Sequence, residues 1–94
     1  MATDLLLPMV SEMDDAKLAA WAEELEYDGL WLGELWGASS IVRLTEIATA
    51  TEEIDLGTAI ANVFSRTPAL LAMTASSLND VSGGQFRLGV GTST

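Results

Sequence analysis

Four short apolar runs, beginning near residues 5, 30, 55 and 86, are separated by three stretches with helical periodicity, and this alternation constrains the fold more than any other feature of the chain. Leu5-Leu6-Leu7 is closed by Pro8. Leu30-Trp31-Leu32-Gly33-Glu34 is apolar until its last residue, and the third and fourth runs cover Ile54 to Ile60 and Phe86 to Gly91. Leu5-Leu6-Leu7 shows no polar alternation and so reads as a strand covered on both faces, the habit of parallel sheets. Strands in one direction need a crossover between them, and a right-handed helical crossover is the near-universal solution. The fold class is therefore α/β, a parallel βαβαβαβ unit. Its repeat of about 30 residues is that of a (β/α)₈ barrel, of which four strands are half.

The helices announce themselves by caps and stripes. Asp14 caps the first, which sets Leu18, Trp21, Ala22 and Leu25 on one face. Ser39 or Ser40 caps the second, running from about Ile41 to Glu53 with Ile41, Leu44, Thr45 and Ala48 inward. Thr67 followed by Pro68 opens the third, whose inward residues are Leu70, Leu71, Thr74, Leu78 and Val81 and whose stop is Gly83-Gly84. No linker or low-complexity tract divides residues 1–94, which read as one structural unit.

Composition narrows the chemistry. The 94 residues carry 14 acidic and 4 basic side chains, a formal charge of -10, which leaves almost nothing to attract a phosphate backbone, and nucleic acid is excluded as a partner. The absence of cysteine and histidine removes disulfides, thiolate chemistry and the commonest metal ligand, so no metal site is expected. No apolar run is long enough to span a bilayer and no cationic leader precedes one; a cytoplasmic protein without membrane attachment is expected. Acidic residues crowd the helix surfaces at Asp14, Asp15, Glu23, Glu24, Glu26, Glu46, Glu52 and Glu53, the pattern of a halophilic protein in which molar salt screens self-repulsion.

Ligands of parallel α/β folds bind at the carboxyl ends of the strands, which here offer Pro8 and Met9, Glu34 to Trp36, Ala59 to Asn62, and Gly91 to Ser93. Such small, apolar or neutral residues suit a flat aromatic ring and a small-molecule substrate better than a phosphate. Glu34 is the carboxylate among them, a candidate acid or base whose structural alternative is an ion pair with Arg66. Asn62 can hydrogen-bond a heterocycle or satisfy its own loop. Gly57 signals a bulge or the close approach of another group.

Three segments carry a resemblance: Ala22 to Glu34 (AEELEYDGLWLGE), Leu56 to Pro68 with its Asn62-x-x-Ser65-Arg66-x-Pro68 string, and Leu78 to Gly91 with Ser82-Gly83-Gly84-x-Phe86-x-Leu88-Gly89-x-Gly91. Together they resemble the amino-terminal half of the bacterial luciferase-like flavin-dependent monooxygenases, and most closely the branch that uses the deazaflavin coenzyme F420, in its haloarchaeal form. The resemblance implies a TIM barrel, hydride transfer between a ring and an organic substrate, and F420 as cofactor with FMN as the alternative. It implies a non-prolyl cis peptide at Ala59–Ile60 backing the ring, with Ala59, Ile60, Asn62 and Gly91 as cofactor-binding residues and Glu34 as the catalytic group. Family members commonly carry a histidine where this chain has Leu35, so Glu34 inherits the proton-transfer role. The family's phosphate contacts come mainly from the second half of the barrel. The chain is thus expected to be a fragment of an enzyme and inactive alone, or a half-barrel that self-associates through its sheet edges, as a homodimer for instance.

Overall fold

A computed structural model of the chain describes residues 2–7, 14–34 and 39–92. Pro8, Met9, Leu35, Trp36 and Ser93, all named above at strand ends, lie outside the described residues. The elements run β1 (Asp4–Leu6), α1 (Asp15–Glu24), β2 (Gly29–Leu32), α2 (Ser40–Ala50), β3 (Asp55–Thr58), β4 (Ala61–Asn62), α3 (Pro68–Val81), β5 (Phe86–Arg87) and β6 (Val90–Gly91). A 4-stranded sheet has the order β1-β2-β3-β5, and every pairing in it is parallel. The architecture is that of half a TIM barrel.

The register explains both faces. Leu5, Leu30, Leu56 and Phe86 stand side by side across the sheet. This row packs with Leu32, Leu44, Ile47, Ala19 and Ala22 in the core between sheet and helices. The next row, Leu6, Trp31, Gly57 and Arg87, points to the opposite face because successive strand residues alternate sides. There the indole of Trp31 lies on Gly57, so close that a Cβ on Gly57 would sit 2.3 Å from a ring carbon, and its Nε1 donates to Asp4 Oδ2 at 3.0 Å. The close approach foreshadowed by Gly57 is thus this ring. Leu6, on the same face, is 64% exposed.

Each helix starts where its cap residue predicts. Asp14 accepts from the Ala16 amide, Ser39 from the Val42 amide and Thr67 from the Leu70 amide, and Pro68 is the first residue of α3. Gly83 and Gly84, both at positive φ, close α3 by donating to the carbonyls of Asp80 and Asn79. The inward faces differ in part from expectation. Trp21 and Leu25 are 54% and 63% exposed, because α1 turns its small residues Ala19 and Ala22 to the core and packs closely on α2. Helix α2 ends at Ala50 and buries Ile47 rather than Thr45, while α3 buries only Leu78, leaving Leu70 and Val81 exposed.

The third and fourth strands are each broken in two. Thr58 Oγ1 donates to the Gly89 carbonyl at 2.7 Å and accepts from the Gly89 amide at 2.9 Å, taking the place of a ladder bond. Past this point the peptide Ala59–Ile60 is cis, and Ala61–Asn62, expected in a loop, forms a separate parallel ladder with Val90–Gly91.

Candidate functional site

The carboxyl ends of β2, β3, β4 and β6 meet around Glu34. Its Oε1 accepts from Arg66 Nη1 at 2.5 Å and from the Asn62 amide at 3.4 Å. Its Oε2 accepts from Arg66 Nη2 at 2.7 Å, the Ser40 amide at 2.9 Å and the Ser40 hydroxyl at 3.2 Å. The structural alternative for Glu34, the ion pair with Arg66, is therefore formed, and it is bidentate. The two side chains are 9% and 13% exposed, so the attraction is poorly screened. The Arg66 guanidinium, acting first through its hydrogen bonds, outweighs the cost of burial and brings the Glu34 carboxyl down to about 2, with the Ser40 and Asn62 amides adding to the effect. Near neutrality Glu34 is a fixed anion, and the pair is internally neutral.

Beside this pair lie the small residues of the Ala59–Asn62 turn. Ala59 is exposed and Ile60 partly so, while the Ile60 side chain crosses Gly91, where an added Cβ would fall 2.8 Å from Ile60 Cδ1. Asn62 caps its own loop through Oδ1, which accepts from the Phe64 amide at 2.7 Å, and its carbonyl accepts from the Ser65 hydroxyl at 3.3 Å. The side-chain Nδ2 N–H groups of Asn62 donate to no acceptor among the described residues and are open to a ligand. Ala59, Ile60, Asn62 and Gly91 are thus drawn into one short stretch of rim, with Glu34 tied to it through the Asn62 amide.

Thr58, Gly89 and Ser40 shape this rim as much as the residues named in advance. The reciprocal Thr58–Gly89 bonds set where the turn begins, and a Cβ on Gly89 would stand 2.2 Å from the Thr58 carbonyl oxygen. A hydroxyl ending one strand opposite a glycine in the next was the signal available, but it becomes readable only once the register is known.

The residues present fit a neutral planar heterocycle: a floor of small side chains, one open amide donor and no uncompensated charge. Among the described residues the three arginines, Arg43, Arg66 and Arg87, are each paired with a carboxylate, at Asp15, Glu34 and Asp55, and so offer no charge to a phosphate at this rim. Among the described residues no group of acidic side chains is arranged to hold a metal ion, and no helix is long and apolar enough to cross a membrane.

Known proteins resemble this chain in sequence and fold. A Mycobacterium tuberculosis protein provisionally named a coenzyme F420-dependent oxidoreductase is 36% identical over 78 residues, covering 83% of this chain and 22% of the relative. The coenzyme F420 dependent tetrahydromethanopterin reductase of Methanopyrus kandleri superposes with a TM-score of 0.89 at 27% identity, over 99% of this chain and 27% of the reductase. The FMN-bound oxygenating constituent of a Pseudomonas putida diketocamphane monooxygenase shares the fold, with a TM-score of 0.87 at 20% identity over 100% of this chain and 30% of that one. The chain therefore spans about a quarter of the length of these relatives. The family model for luciferase-like monooxygenases matches residues 13–94, and the chain belongs to that family.

Proposed function

We propose that the chain supplies part of the cofactor rim of a cytoplasmic oxidoreductase that passes a hydride between coenzyme F420, with FMN as the alternative, and a small organic substrate. The observation that carries this reading is the neutral rim of Ala59, Ile60, Asn62 and Gly91, set beside a self-compensated ion pair in a chain similar along its length to F420-dependent enzymes. When bound, the ring accepts or donates the hydride. The chain's own residues do the rest of the work assigned here. Ala59 and Ile60 floor the ring, Gly91 leaves room beside Ile60, and the Asn62 side-chain Nδ2 donates to a carbonyl on the heterocycle. Closing this apolar wall over the ring excludes water, which would otherwise compete for that hydrogen bond. Glu34, ionised and saturated with donors, is offset by Arg66, so the pair leaves the rim without net charge. Titrating the full-length protein with F420, and separately with FMN, should quench the fluorescence of the ring. Absence of quenching by both at micromolar protein refutes the proposal.

A second reading is favoured by the uncovered sheet face carrying Leu6 and Trp31 and by the outer edges of β1 and β5: a non-catalytic half-barrel that self-associates. Light scattering on the chain after gel filtration separates the two, because a monodisperse species that binds the ring defeats the non-catalytic reading.

A further inference from the structure

Building on the oxidoreductase reading, we propose that Glu34 and Arg66 are a positioning pair, in which one carboxylate binds the first turn of α2, β4 and the approach to α3 into a single rigid rim under the ring. The arrangement of hydrogen bonds assigns this role. Glu34 stands two residues beyond β2, Ser40 is the first residue of α2, Asn62 ends β4, and Arg66 precedes the Thr67 cap of α3. Both carboxylate oxygens are shared, Oε1 between Asn62 and Arg66 and Oε2 between Ser40 and Arg66.

The segment after Ala59 has two kinds of anchor. On one side its backbone is tied to the β5–β6 strand, with the Ala61 amide donating to Gly89 and the Val63 amide to Gly91. On the other side, the Ala59 backbone N–H donates to the Leu32 carbonyl of β2 at 2.8 Å where the turn begins, and beyond Ala59 the hydrogen bonds toward β2 and α2 run through Glu34 alone among the described residues. Asn62 Oδ1 adds no anchor toward β2 or α2 among the described residues, since the bond it accepts comes from the Phe64 amide of its own loop. Removing the carboxylate therefore frees one flank of the turn that carries the Asn62 donor while the other stays fixed, which tilts the turn rather than unfolding it. A carboxylate whose acceptor sites are already filled by N–H and O–H donors also has no free lone pair with which to take a proton from a substrate. Its influence on the reaction is carried by the residues it holds.

The test uses the full-length protein and the variants E34Q, R66K and the double substitution. Each conservative change keeps a polar group in place but breaks the two-pronged match between guanidinium and carboxylate. Either single variant should weaken F420 or FMN binding, read by fluorescence quenching, by about tenfold, the loss expected when one hydrogen bond to the ring is no longer made. The double variant should lose little more. Hydrogen exchange without cofactor should accelerate at the Ser40 and Asn62 amides in E34Q, and the pH profile of kcat/KM should keep its wild-type shape. Wild-type affinity in both single variants, unchanged exchange at both amides, or loss of one limb of the profile in E34Q overturns the positioning role and leaves the oxidoreductase reading standing. A wild-type protein that quenches neither ring overturns that reading, and the positioning role falls with it.

Discussion

Glycine to alanine substitutions at positions 89 and 83 should differ sharply in cost, and the difference follows from the two environments. At Gly89 a methyl group would stand 2.2 Å from the Thr58 carbonyl oxygen, a backbone atom that no rotamer change can move. Restoring ordinary contact requires the strands to part by about 1 Å, which breaks the reciprocal Thr58–Gly89 bonds and strains the bond from the Ala61 amide to the Gly89 carbonyl. At about 1 kcal/mol for each net hydrogen bond, two broken and one weakened, the loss is about 2 to 3 kcal/mol. At Gly83, by contrast, nothing lies within 4 Å and only the positive φ of 68° resists a side chain. A left-handed alanine costs about 1 to 2 kcal/mol. Reduced freedom of the unfolded chain returns about 0.4 to 1 kcal/mol of this. Thermal unfolding of G89A and G83A by far-UV circular dichroism, in the same full-length background, should show Tm falling at least about 6 °C for G89A and only a few degrees for G83A. Equal shifts, or a larger one for G83A, would refute the claim that the Thr58–Gly89 approach sets the strand break.

Leu44→Ala, at a fully buried position under the leucine row, should cost about 3 to 5 kcal/mol in urea unfolding, and a loss below about 1 kcal/mol would show that the core closes over the gap. The Glu34 carboxyl titrates lower in the folded protein than its ordinary 4.5, so its contribution to stability is complete above that value and disappears as pH falls toward about 2. The stability gap between wild type and E34Q should therefore narrow between those two values, and a gap constant with pH would contradict the ion pair. The exposed carboxylates of Glu24, Glu26, Glu46, Glu52 and Glu53 repel one another in dilute buffer, so Tm should rise as potassium chloride approaches molar concentration, and a fall would count against the halophilic reading.

Much of the fold was legible because local signals and long-range pattern agree. Each cap residue sits where its helix begins, and the unbroken apolar character of Leu30 to Leu32 marks a strand that faces helices. The site was legible as a region: Glu34, Ala59, Ile60, Asn62 and Gly91 all fall at strand ends, and the Glu34–Arg66 pair was foreseen as one of two outcomes. What escaped depends on partners far apart in sequence. The strand breaks arise from Thr58 meeting Gly89, and no local propensity reports on that encounter. The stripe of Trp21 and Leu25 is as helical as the one actually buried, and the choice between them is made by how tightly α1 and α2 approach. Glu23 looked like one more surface acid, yet its carboxylate gathers the amides of Glu52, Glu53 and Ile54 at 2.7 to 3.0 Å, and those amides hold its pKa below the ordinary carboxylate value against desolvation, the largest single influence, which pushes it up.

That last contact divides the acidic residues into two populations. Glu23 gathers backbone amides just before β3, as Glu34 does at the opposite, carboxyl ends of the strands, so each behaves as a rivet for the peptide chain rather than as part of an ionic coat. Trading Glu24, Glu26, Glu52 and Glu53 for neutral residues would shed four of the chain's fourteen acidic charges and leave both rivets in place.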